Sequence, residues 1–298
     1  MKSWTHSAET TRKQPGQPLF NLHEDPCPTP LFRMTRLLSY ATVSLLLLLG
    51  HTVLRAGGPF TALRDGERFR FQISWGIFSN AGEIVLQARR ETTGDADLMR
   101  ISTRISSRGF VRGFYRFDNK SELVVDMATG RLLSVEEVGT GSKETRTRTL
   151  FDYGSRQAVH TDFLHPERNR EFALGPADPV DLITALIQTR EWKPKPGDHR
   201  SVEVYFGRDI YPVVIRAEQL EQVRTPLGIF NTVQLTPRME TEAPRGVFKR
   251  GGEIKVWVSA SESPQPVQMQ LKLNFGTARL ILAELEMPSR EFVQGVQR

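Results

Sequence analysis

Beyond about Pro59, hydrophobic and polar residues alternate in short runs. In ERFRFQISW (67–75), Phe69, Phe71, Ile73 and Trp75 fall on one side and Arg68, Arg70, Gln72 and Ser74 on the other. That is the period of two of a strand with one buried and one wet face. Runs of the same kind predict strands at Glu83–Arg90, Leu98–Ser106, Ser121–Asp126, Leu132–Val138, Thr145–Tyr153 and Gln157–Phe163. A second series follows at Ser201–Phe206, Ile210–Ala217, Glu218–Thr225, Phe230–Thr236, Glu253–Val258, Val267–Leu273 and Arg279–Glu286. Turn residues punctuate them at Ser79-Asn80-Ala81-Gly82, Thr93-Gly94-Asp95, Thr129-Gly130 and Gly251-Gly252. The spacing predicts an antiparallel, meander-like sheet. With about fourteen strands such a sheet must curl, split or close. The expected fold is mostly β: a large curved antiparallel sheet, half-barrel or open-barrel-like.

One segment has a helical period instead. Asp178–Trp192 places Val180, Ile183, Leu186 and Ile187 on one face, with Asp178 before Pro179 as an N-cap followed by proline at the first helical position. Pro194, Pro196 and Gly197 end it. Lying between the two series of strands, this principal helix is expected to pack on the concave face of the sheet.

Ahead of the alternating region, residues 37–49 (LLSYATVSLLLLL) carry no charge, follow Arg33 and Arg36, and precede small residues including Gly57-Gly58. A basic flank, an apolar run of 7–15 residues and small residues beyond are the parts of a secretory signal. The run is short for a membrane span, which needs about 20 apolar residues; a retained anchor and a buried core helix are the alternatives. The organisation read from the chain is a signal peptide at 34–56, a polar, proline-rich extension at 1–33 with translation starting at Met34, and a single β domain at 57–298. Residues 1–56 hold six of the 40 Lys/Arg and three of the 34 Asp/Glu, so the formal net charge of +6 falls to +3 without them. The basic balance therefore argues little for a nucleic-acid partner. The one cysteine, Cys27, also lies there, which leaves the exported part without disulfides, thiol catalysis or cysteine metal sites.

An ordered set of features runs along the β region. It opens with Gly66-Glu67 leading into an aromatic strand ending at Trp75, then a Gly82 reversal, then Asp181-Leu-Ile-Thr-Ala-Leu with Arg190 and Gly197 beyond. Thr225-Pro226-Leu227-Gly228-Ile229-Phe230 forms a turn, and Trp257-Val258-Ser259 and Pro266-Val267 close the pattern. In this order of features the chain resembles exported bacterial proteins carrying the domain of unknown function 3108. Ser261-Glu262 stands where that pattern has an aspartate-containing loop. The resemblance implies an extracytoplasmic compartment and a mostly-β architecture, assigns no activity, and makes Asp181, Arg190, Gly228, Trp257 and Pro266 pattern residues with a structural role.

Candidate chemistry is sparse. His160, His165 and His199 have no helical metal spacing and read as solvated loop residues; no metal or other cofactor is expected. No Gly-x-Ser-x-Gly elbow is present, and Gly139-Thr-Gly141-Ser-Lys143 lacks the ending of a phosphate loop. Glu284 and Glu286 share one strand face and are the best carboxylate pair for acid–base work. The most distinctive stretch is RGFVRGFYRF (108–117), in which Phe110, Phe114, Tyr115 and Phe117 interleave with Arg108, Arg112 and Arg116. It reads either as a hairpin with its aromatics in the core or as a lipid-facing rim.

The expectation is a periplasmic, Gram-negative, non-enzymatic binding protein for a lipid or other hydrophobic envelope component. Trp75, Phe78, Phe110, Phe114 and Tyr115 are the candidate groove residues, and peripheral membrane contact is open. The alternatives are an envelope hydrolase or glycan-modifying enzyme, an outer-membrane barrel, and a structural or assembly factor. Protein partners and oligomeric state have no signature in the sequence.

Overall fold

The structure, a computed structural model, describes residues 58–141, 144–249, 252–273 and 276–287. The predicted extension and signal peptide lie outside the described residues. Among those described, eight strands come first: β1 (Arg68–Trp75), β2 (Phe78–Thr93), β3 (Ala96–Ser107), β4 (Asp118–Asp126), β5 (Leu132–Thr140), β6 (Thr145–Asp152), β7 (Gln157–Asp162) and β8 (Arg170–Ala173). Seven follow: β9 (Val180–Asp181), β10 (His199–Phe206), β11 (Asp209–Thr225), β12 (Gly228–Arg238), β13 (Glu253–Ser259), β14 (Pro266–Leu273) and β15 (Gly276–Glu286). Two α-helices interrupt them, α1 (Gly109–Phe114) and α2 (Leu182–Trp192).

All fifteen strands join one sheet, in the order β8-β7-β6-β5-β4-β3-β2-β1-β15-β14-β13-β12-β11-β10-β9. The first half meanders outward from β1, and the second returns to pair β15 with β1, Phe69 opposite Leu285. The two edges, β8 and β9, are thus joined only by residues 174–179. If the sheet were flat, the strand spacing would hold its edges roughly 67 Å apart. The seven chain steps between Ala173 and Val180 reach at most about 25 Å. Connectivity alone therefore curls this sheet until its edges approach each other.

Side chains then bridge the seam. The Tyr205 ring of β10 stacks on Phe172 of β8 at 6.3 Å and meets Phe151 of β6 edge-on at 5.1 Å. Arg170 donates to Asp209 at 2.9 Å. Inward positions alternate with outward ones as predicted: Phe69, Phe71, Met99, Ile101, Leu123 and Val125 are buried. Outward, Arg68 and Arg70 pair with Glu286 and Glu284, Arg100 with Glu122, and Arg148 with Glu136. These charges occupy the face that a spanning barrel would turn to lipid, which must be apolar.

Several expectations need correction. The principal helix starts at Leu182, capped not by Asp178 but by Asp181, whose Oδ1 accepts from the Ile183 N–H at 2.6 Å. Asp178 instead holds Arg131, at 2.8 Å, and Arg156. Ser79–Gly82 is not a turn but the start of β2; the chain reverses at Gly76-Ile77, where Gly76 has φ +54°. Ile210–Ala217 and Glu218–Thr225 are one strand, β11, with a bulge between Ala217 and Leu220 absorbing the break in alternation. RGFVRGFYRF is no hairpin: it folds as α1, seated by Gly109 (φ +53°), where a Cβ would stand 2.6 Å from the Asn80 carbonyl oxygen. Arg112 grips Asp118 through two hydrogen bonds of 3.0 and 2.9 Å and fixes α1 to β4.

Candidate functional site

Between α2 and the concave face lies a partly enclosed cavity of ≈ 390 Å³. Its sheet wall is aliphatic and drawn from many strands: Ile84, Ile105, Val213, Ile215, Leu235, Val256, Leu271 and Leu280. Leu182, Ile183, Ala185 and Leu186 of α2 form the opposite wall. Two anchors hold the helix there. Asp181 caps its N-terminus, and near its C-terminus Arg190 forks onto Glu67 at 2.8 and 3.0 Å. The Glu67 side chain is fully buried and that of Arg190 is 10% exposed. Ala62 and Pro264 carbonyls take further Arg190 donors, so the buried charge is well satisfied.

Few polar groups reach the cavity. Thr103 lines it with its Oγ1 unpartnered. Asp181 and Glu137 line it as well. Burial pushes the Asp181 carboxyl up to about 7 against the cap hydrogen bonds, and the Glu137 charge adds to the rise. Burial also raises Glu137.

Glu137 continues into a second, polar basin of ≈ 430 Å³, lined also by Thr145, Thr147, His160, Asp162, Arg168, Gly207 and Arg208. One register row joins the two regions: Leu86, Thr103, Ser121, Glu137, Thr147 and Asp162 stand opposite one another from β2 to β7. With neighbouring strands about 4.8 Å apart, this row carries polar side chains from Thr103 and Ser121 in the cavity through Glu137 to Thr147 and Asp162 in the basin. At the basin floor His160 is 2% exposed, not the solvated loop residue expected. Its Nδ1 lies 2.8 Å from Thr149 Oγ1, which lies 2.6 Å from the Tyr205 hydroxyl, itself 2.8 Å from the Gly207 oxygen. Burial, with the Arg208 charge beside it, holds His160 below its ordinary value.

The aromatic candidates gather elsewhere. Phe78, Phe110 and Phe114 pack together with ring centroids 5.6–6.1 Å apart, Phe78 stacked on Phe110 and Phe114 edge-on to Phe110, with Phe110 75% and Phe114 57% exposed beside Ile77 at 92%. None of them, nor Trp75 or Tyr115, lines the cavity. Tyr115 does stack on Phe117 at 6.2 Å, and Phe117 is a cavity residue. Trp75 ends β1 against Gly276, where a Cβ would lie 2.6 Å from its Nε1. Of the pattern residues, Asp181 and Arg190 anchor α2, as described. Trp257 is buried and donates to Glu221 at 2.8 Å. Gly228 (φ +128°) closes the β11–β12 turn, and Pro266 opens β14 opposite Val258. Glu284 is held below its ordinary value by its hydrogen bond with Arg70, on the outward face with Glu286. Among the described residues, no three His, Cys, Asp or Glu side chains are placed to hold a metal.

Comparison with known proteins places the fold. The profile described as Protein of unknown function (DUF3108) matches residues 70–283. A solved beta-barrel-like protein of domain of unknown function DUF1849 from Brucella abortus superposes with a TM-score of 0.50 at 8% identity, covering 76% of this chain and 98% of that one. A candidate lipoprotein from Parabacteroides distasonis is similar at 11% identity and a TM-score of 0.28, covering 75% of this chain and 96% of that one. A candidate exported protein with a YmcC-like fold from Bacteroides fragilis gives 8% and 0.32, with coverages of 78% and 99%. No curated protein matches the chain.

Proposed function

The chain belongs to the DUF3108 family, and from that premise we propose that it is an exported, non-enzymatic binding protein for a hydrophobic envelope component. The cavity beneath α2 carries this reading, taking an acyl chain or similar apolar group. Protein interiors are otherwise close-packed, and an apolar void lowers stability in proportion to its volume. At ≈ 390 Å³, its size falls within the range of small-molecule sites, about 300–1,000 Å³. The periplasm of a Gram-negative bacterium is the proposed compartment, on the strength of the basic flank and apolar run at 33–49. The direct test is titration with the apolar dye phenylnaphthylamine. Saturable fluorescence enhancement at one site, competed by an octyl-chain detergent, is expected; a flat titration would refute the reading.

A second element of the proposal is peripheral membrane contact through α1. Exposed aromatics beside arginines suit an anionic lipid surface, and Tyr115, which follows α1, stacks on the cavity residue Phe117. Cosedimentation with mixed phosphatidylcholine and phosphatidylglycerol vesicles is expected, and Phe110→Ser/Phe114→Ser should abolish it. The hydrolase alternative is the weaker one, because Glu284 and Glu286 are tied to Arg70 and Arg68 on the outward face and line neither the cavity nor the basin.

A further inference from the structure

The geometry points to a second half of the binding site: the polar basin at the seam receives the hydroxyl-rich head, a sugar or polyol, of the molecule whose apolar part fills the cavity. This inference rests on the reading of the cavity given above.

The proton count in the His160 network carries it. The Gly207 carbonyl can only accept, so the Tyr205 hydroxyl proton is directed there, at 2.8 Å. Tyr205 oxygen then accepts from Thr149 Oγ1–H at 2.6 Å. With its only proton given away, Thr149 accepts from His160 Nδ1–H at 2.8 Å. No other assignment places a proton in all three of these contacts, and the Tyr205 oxygen, 3.4 Å from Nδ1, is a second, longer acceptor for the same Nδ1 proton. A neutral imidazole carries one proton, which leaves Nε2 as a bare acceptor. That nitrogen is buried without a hydrogen-bond partner among the described residues, on a side chain lining the basin. An occupant that brings a donor to the His160 side of the basin is therefore favoured, since a buried acceptor left unpaired is costly.

The surrounding charges narrow the class. Arg168 and Arg208 oppose an ammonium group in the basin, and Arg208 is exposed with no ion pair among the described residues. A fully ionised phosphate or a carboxylate has no proton for Nε2 and faces Asp162 and Glu137. A hydroxyl both donates and accepts, so it satisfies His160 and the arginines together. The aliphatic cavity and the polar basin meet at Glu137, which lines both, so an amphiphile can lie across the two.

The test is displacement of phenylnaphthylamine from the full chain by three octyl amphiphiles below their micelle concentrations: octyl glucoside, octyl sulfate and octyltrimethylammonium. The glucoside is expected to compete about tenfold better than either charged compound, the scale of one buried hydrogen bond to an otherwise unpaired group. His160→Leu should remove most of that preference while leaving dye affinity unchanged, because His160 is not a cavity residue. Arg208→Met, at an exposed position that folding does not need, should cut the preference by about threefold and decides the matter if the histidine variant does not fold. Equal competition by all three amphiphiles, or a preference that survives these substitutions, overturns the head-group assignment while the cavity reading stands. Absence of any dye or octyl binding overturns both.

Discussion

Phe110 and Phe114 leave 75% and 57% of their surface to solvent, whereas Ile187, on the other helix of the same fold, leaves 1%. The two helices carry apolar side chains for opposite purposes. α1 is a single short turn pinned by Gly109 and the Arg112–Asp118 pair, and it holds its phenylalanines out on a rigid base. α2 is clamped at both ends, by its Asp181 cap and the Arg190–Glu67 pair, and encloses an aliphatic space that the sheet does not fill. One arrangement makes a convex apolar surface that can meet another surface. The other makes a concave one that can hold a molecule. The difference lies in the polar anchors, because both helices are comparably apolar.

Breaking the clamp should have the largest effect. Glu67→Ala leaves the nearly buried Arg190 guanidinium without its partner, and urea denaturation should show a loss of about 3–5 kcal/mol. If α1 is independent of that clamp, the folded fraction of this variant should still bind vesicles. Filling the cavity comes next. Ala185→Trp should weaken dye binding at least tenfold, about 1.4 kcal/mol, with vesicle binding unchanged.

A third effect separates the helices by pH. In the folded state Asp181 is pushed up to about 7, from about 3.9 in an unfolded chain. The folded state therefore holds this proton more tightly, and its contribution to stability is present below about pH 4 and is lost as pH rises toward 7. Asp181→Asn, which still caps the helix, should become progressively more stable relative to wild type as pH is raised from about 4 to 7. A difference constant across that window would contradict the burial of this carboxyl. The smallest stability effect should come from Phe110→Ser/Phe114→Ser, within about 0.5 kcal/mol per exposed site. Vesicle binding should nonetheless be lost and dye affinity kept.

The same contrast explains what could be read from the sequence. Alternation located the strands because a curled sheet with one wet face imposes its period on every residue, as Phe69, Arg70 and Phe71 illustrate. The family pattern held Glu67, Asp181 and Arg190, and the structure turns two of them into a salt bridge spanning 123 residues. The aromatic run at 108–117 drew attention because it is contiguous, yet the cavity wall takes residues such as Ile84, Leu235 and Leu271 from strands far apart in the chain. No local signal marks such a set. The edges β8 and β9 are too short for a period, and His160 reads as a loop residue because Thr149 and Tyr205 reach it only from β6 and β10. Asp178-Pro179 had the form of a helix start, but Asp178 is committed to Arg131 and Arg156, so the helix begins three residues later.

Native mass spectrometry tests the central claim most directly. The protein, produced by export in a Gram-negative host and purified without detergent, should carry a near-stoichiometric adduct that extracts into organic solvent as a molecule with an acyl chain. Ala185→Trp should carry none. A clean apo mass for the wild-type protein, together with no uptake of phenylnaphthylamine, would contradict the assignment of the cavity as a binding site.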